Sequence, residues 1–189
     1  IIKNGTCYID KDLKDQDIAI KDSKIIEIGK IDSKAKEVFD AKGLTVLPGC
    51  IDTQTHFREP GSTDTEDLHS GSRAAIVGGI TSVFEMPNTN PPTSNKAEFQ
   101  KKLDLAKNRM YCNYAFYFGA TPDNAAELAE LKGLEGCCGI KLFAGSSTGN
   151  LLVQFEEDIE KVFKSASKVV SVHSEDEEIL NMNKKLIKD

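Results

Sequence analysis

From Cys50 onward, short apolar runs alternate with longer amphipathic stretches, and this rhythm constrains the fold more than any other feature of the chain. A parallel sheet covered on both faces needs strands that are apolar nearly throughout. It also needs crossovers long enough to hold a helix. The spacing predicts strands over 49–52, 80–86, 113–118, 138–143 and 168–172. Helices are predicted between them over 65–77, 95–109, 122–131 and 155–166, with a fifth from Ser174 and helix continuing over 183–189. Thr65, Ser94 or Asn95, and Thr121-Pro122-Asp123 read as the helix starts.

Five such units in about 140 residues fit an α/β fold of the (β/α)8 TIM type, whose full form needs eight units and about 250 residues. The chain is therefore read as an N-terminal portion that ends before the barrel closes. Ahead of the barrel, Ile1 to Ile9, Asp17 to Ile20 and Lys24 to Ile28 alternate as strands do, with polar turns between them, and 37–46 reads as a further strand. The expected division is a small β-sandwich-like domain over 1–47 and the barrel over 48–189.

Composition narrows the function classes. With 24 basic against 30 acidic residues the net charge is −6, and no basic patch stands out, which argues against a nucleic-acid partner. No apolar run approaches the roughly 18 to 20 residues needed to span a bilayer, and the first segment lacks the pattern of a secretory signal. Five cysteines, odd in number and without C-x-x-C spacing, read as reduced thiols. The expectation is a cytoplasmic protein without a membrane partner.

In a parallel barrel, catalytic groups belong at the C-terminal ends of strands, where the loops converge on one centre. His56 follows the first predicted barrel strand, Asn88 the second, Lys141 lies in the fourth, and His173 closes the fifth. Of the three histidines only His69 falls inside a predicted helix. Neutral imidazole is a common zinc ligand. An ammonium between Ile140 and Leu142 is costly to bury unpaired, and burial favours the neutral amine, which can capture carbon dioxide as a carbamate. The alternative for Lys141 is a side chain that snorkels to solvent or to an acidic partner.

These residues lie in motifs that resemble the amidohydrolase superfamily, and within it the dihydroorotases. Pro48-Gly49-Cys50-Ile51-Asp52-Thr53-Gln54-Thr55-His56-Phe57-Arg58-Glu59-Pro60-Gly61 is similar to the family pattern P-G-x-I-D-x-H-x-H-x-R-E-P-G. Glu85 to Pro92 resembles its second signature, and Gly139-Ile140-Lys141-Leu142-Phe143 its carbamate-lysine strand. The resemblance implies one or two Zn2+ ions held by His56, carbamylated Lys141 as the bridge, and His173. It implies a substrate carboxylate held by Arg58 and Asn88, with Asp52 orienting a ligand. A planar guanidinium offers a carboxylate two parallel donors, which suits Arg58 to that task. One departure is Gln54, which replaces the pattern's first histidine with a far weaker zinc ligand.

The implied reaction is reversible hydrolysis of dihydroorotate to carbamoyl aspartate in pyrimidine synthesis, with the general-base Asp lying beyond residue 189. Allantoinases and hydantoinases share this chemistry, and Arg58 speaks against a neutral ring. Gln54 favours a non-catalytic homologue that acts as a scaffold for aspartate transcarbamoylase, whereas the retention of His56, Lys141, His173 and Arg58 counts against it. By analogy the protein forms a homo-oligomer.

Overall fold

Strand order separates a barrel from a doubly wound sheet, because the latter reverses direction at a switch point. In a computed structural model, which describes residues 1–147 and 150–187, five parallel strands lie side by side in chain order. They are preceded by the seven short strands of an N-terminal unit, β1 (Ile2–Lys3), β2 (Thr6–Ile9), β3 (Asp12–Asp15), β4 (Asp17–Lys21), β5 (Lys24–Gly29), β6 (Phe39–Asp40) and β7 (Thr45–Val46). By internal contacts the chain divides into Ile1–Gly49 and Cys50–Asp189.

The first unit holds two small sheets, ordered β5-β4-β1-β6 and β3-β2-β7. Its buried residues include Cys7, Ile18, Ala19, Ile31 and Ala41. Asp17 ties its loops together, accepting from the backbone N–H groups of Asn4 and Ile31, each at 3.1 Å. Strand β3 has no signal in the sequence, because Asp12-Leu13-Lys14-Asp15 has one apolar side chain and takes its register from pairing with β2. The strand expected over 37–46 is instead two pairs of residues, β6 and β7, which join different sheets.

The second unit is the barrel arc. Its strands are β8 (Cys50–Thr55), β9 (Ile80–Glu85), β10 (Asn113–Gly119), β11 (Cys137–Phe143) and β12 (Val170–His173). The helices are α1 (Leu68–Val77), α2 (Lys96–Ala106), α3 (Ala125–Ala129), α4 (Glu156–Ser165) and α5 (Glu177–Lys184). Alternation along the strands sets the two faces. Val83, Phe116, Phe118, Ile140 and Leu142 share one core with Leu68, Phe99, Leu128 and Val162 of the helices. Burying side chains of this size is worth roughly 1.5–3 kcal/mol each. Lys141 and Phe143 alternate with Ile140 and Leu142, so they lie on the sheet face turned away from that core.

Local side-chain bonds set where the helices start. Helix α1 begins at Leu68 rather than Thr65, since Asp67 is its N-cap, accepting from Ser70 N at 2.6 Å and Ser70 Oγ at 2.7 Å. Asn95, not Ser94, caps α2 by accepting from Glu98 N at 2.9 Å. Helix α3 starts only at Ala125, because the Asn124 side chain is spent on the preceding loop. It accepts from Thr121 N at 2.9 Å and donates to Ser94 O and Gly119 O at 2.9 and 2.8 Å. At the other end α5 stops at Lys184, short of the helix expected over 183–189, of which Lys188 and Asp189 lie outside the described residues.

Candidate active site

The C-terminal ends of β8, β9, β11 and β12 carry the residues singled out from the sequence. His56 follows β8 directly and is half-buried. Its Nδ1 lies 2.9 Å from Asn88 Oδ1, in the loop after β9. With the amide oxygen facing the ring, Nδ1 carries the proton and Nε2 keeps its lone pair. Burial pushes the imidazole pKa down, the Asn88 hydrogen bond opposes this, and the charges of Arg58, Lys141 and Lys102 lower it further. The neutral ring is the form a metal ion needs.

Lys141 is 2% exposed in β11, and burial lowers its pKa toward the neutral amine. Among the described residues its Nζ donates no hydrogen bond and meets no carboxylate; it lies 5.0 Å from the centroid of Phe143. That ring also approaches His173, with centroids 6.1 Å apart, because Phe143 and His173 face each other across the β11–β12 register. One aromatic side chain thus adjoins both groups. His173 Nε2 is 2.8 Å from Glu175 Oε2, a partner not foreseen from the sequence.

Arg58 is exposed and forms no ion pair among the described residues, so it is not neutralised by its neighbour Glu59 or by Asp64. Glu59 instead receives Arg109 in a two-pronged pair, at 2.7 and 3.0 Å. The loops after β8 and β9 also touch each other, with Asn90 N donating to Pro60 O at 3.0 Å. Gly61 is required at that contact, since its φ is +120° and an added Cβ would lie 2.9 Å from Asn90 Cβ. Asp52 accepts from Gln54 N at 2.9 Å, and Gln54 is exposed.

Among the described residues no three His, Cys, Asp or Glu side chains gather closely enough to hold a metal by themselves. The donor set is two imidazoles and one buried amine. It suits a divalent ion only if Lys141 supplies oxygen, as a carbamate does.

A profile of the amidohydrolase family matches residues 45–188. The chain belongs to the amidohydrolase family. Among amidohydrolase relatives, the dihydroorotase of Methanosarcina mazei is 38% identical over 183 residues, covering 94% of this chain and 40% of that protein. The allantoinase of Escherichia coli is 42% identical over 147 residues, or 77% of this chain and 32% of that one. The L-hydantoinase of Arthrobacter aurescens superposes with a TM-score of 0.88 at 28% identity, across 98% of this chain and 42% of that structure. This amidohydrolase chain thus spans about 40% of the length of such relatives, and its sheet matches part of their barrel. No helix among the described residues is long and apolar enough to cross a membrane.

Proposed function

We propose that the complete protein is a metal-dependent dihydroorotase, hydrolysing the ring amide of dihydroorotate to carbamoyl aspartate. The observation that carries this reading is Lys141, a buried amine without an acidic partner among the described residues, on the sheet face that also bears His173. We read His56, Lys141 and His173 as the groups that hold one or two Zn2+ ions. A bound ion supplies Lewis-acid polarisation of the ring carbonyl and acidifies an attacking water toward a pKa of about 7.

The chain's own residues do the rest. The neutral Lys141 amine forms a C–N bond to carbon dioxide as one C=O π bond opens and one proton leaves the nitrogen, which turns a buried uncharged amine into an anionic oxygen donor. Asn88 holds His56 in the tautomer that leaves Nε2 available, and its Nδ2 still offers two protons to a substrate carboxylate. Arg58 grips the same carboxylate through two parallel N–H groups. The group that protonates the ring nitrogen is expected outside this chain.

A second reading has a specific observation behind it, the 42% identity to an allantoinase. Arg58 favours dihydroorotate, because hydantoin and dihydropyrimidine rings have no carboxylate for it to bind. Gln54 favours a third possibility, a metal-free homologue that scaffolds aspartate transcarbamoylase.

Steady-state hydrolysis by the complete gene product tests the proposal. Wild type is expected to cleave dihydroorotate in preference to allantoin or hydantoin, and Lys141→Ala to be inactive. Losing a charged hydrogen bond worth about 1.5–3 kcal/mol should raise the Michaelis constant of Arg58→Met by roughly ten- to a hundred-fold. An unchanged Michaelis constant in Arg58→Met would remove the carboxylate role.

A further inference from the structure

Burial alternates along the strap that follows β8. His56 is half-buried and Arg58 exposed, whereas Phe57 and Glu59 are both 7% exposed. The strap is thus pinned on each side of Arg58. Phe57 enters the hydrophobic core, where Gly71 of α1 leaves room for its ring.

Glu59 does more than fill space, since both of its oxygens are engaged. Oε1 accepts from Arg109 Nη1 at 2.7 Å, and Oε2 accepts from Arg109 Nη2 at 3.0 Å and from Leu68 N at 2.9 Å. Leu68 is the first residue of α1, so its N–H has no partner within the helix. Arg109 lies 50 residues further on, just beyond α2, and Nη1 also donates to Leu105 O at 3.0 Å. A two-pronged pair with a carboxylate this buried differs from the exposed, monodentate pairs that contribute little.

We propose that Glu59, clamped by Arg109 and the Leu68 amide, is a positioning residue that aims Arg58 at the carboxylate of the substrate. The inference rests on the reading of Arg58 given above. Its physical basis is that misplacing a binding group by about 1 Å can cost on the order of a hundred-fold in rate. A guanidinium on a four-atom stem is aimed only as well as its backbone is held.

Kinetics on the complete, metal-loaded gene product test it with five proteins: wild type, Glu59→Gln, Arg109→Lys, Arg58→Met, and the double variant Glu59→Gln/Arg58→Met. Glutamine keeps an oxygen for Leu68 N–H but loses the charged fork, and lysine keeps the charge but loses the planar geometry. Both single clamp variants should raise the Michaelis constant for dihydroorotate by about five- to twenty-fold, with kcat within about three-fold of wild type and metal content unchanged. In the Arg58→Met background, Glu59→Gln should add less than about two-fold, because residues acting as a unit are not additive.

Arg58→Met alone decides the underlying reading, which falls with this inference if that variant binds dihydroorotate normally. If Arg58→Met weakens binding while Glu59→Gln and Arg109→Lys do not, the reading stands and the positioning role is overturned. An equal loss from Glu59→Gln with and without Arg58 overturns it too, since the clamp would then serve the fold rather than the arginine. Should Glu59→Gln fail to fold, Arg109→Lys carries the same test.

Discussion

Gly71, by lacking a side chain, leaves the space that the Phe57 ring occupies. A Cβ there would lie 2.5 Å from Phe57 Cδ1 and 2.6 Å from Phe57 Cε1, inside any real contact distance. Two effects compete in Gly71→Ala. Replacing glycine in a helix gains about 0.5–1 kcal/mol, whereas overpacking a core ring costs about 1–3 kcal/mol. The ring is buried and the strap around it is pinned at Glu59, so the clash should win, giving a net loss of about 1–2 kcal/mol in urea unfolding. An equally stable variant would mean that the strap yields. At this scale the candidate site was partly legible. The places of His56, Lys141 and His173 on their strands were readable, because each stands at or within a strand end whose apolar run is visible by itself. Glu175 beside His173, and Arg109 beside Glu59, could not be found, because such partners are chosen by the folded chain and leave no periodic signal.

Elements show the same limit more sharply in α2. Phe99, Leu103 and Ala106 pack into the core, and Lys101 beside them is exposed. Lys102 is nevertheless 1% exposed and contacts Glu85 at the end of β9, itself 1% exposed. Lys102 Nζ pairs directly with Glu85 Oε2 and also donates to Met86 O at 3.1 Å. Burial pushes the Glu85 carboxyl up to about 8 and the Lys102 amine down. The two shifts oppose each other in charge, and an ion pair or a neutral pair holds the same single proton as the unfolded chain near neutral pH, so a pair that stays in either form adds little pH dependence there. Lys102→Met breaks that balance. The lone carboxyl then keeps its proton in the folded state, and unfolding releases it above the ordinary value of 4.5. Stability relative to wild type should therefore be nearly intact at pH 4.5. It should fall by about 1.4 kcal/mol per pH unit as the pH rises from 5 toward 8, reaching the roughly 3–5 kcal/mol typical of a broken buried pair. Denaturant unfolding across that range checks the slope, and Glu85→Gln/Lys102→Met should flatten it. A pH-independent difference would contradict the account. Elements with a strong period were readable, as β9, β10 and β11 lie within a residue or so of expectation. Those set by pairing or by a cap, such as β3 and α3, were not.

Across the whole molecule, strand order is what links these local facts to function. Five parallel neighbours in chain order put His56, Asn88, Lys141 and His173 in or after the C-terminal parts of their strands, and a family match over residues 45–188 covers all four. The barrel was legible because its period repeats. The match to about 40% of a relative's length makes the complete gene product the object on which the chemistry must be tested. Elemental analysis of that protein, purified without chelators beside Lys141→Ala, is the most direct test. The account predicts one or two zinc ions per chain in the wild type and a loss of at least half in the variant. A wild-type protein free of divalent metal, or a Lys141→Ala variant that holds as much as wild type, would contradict it.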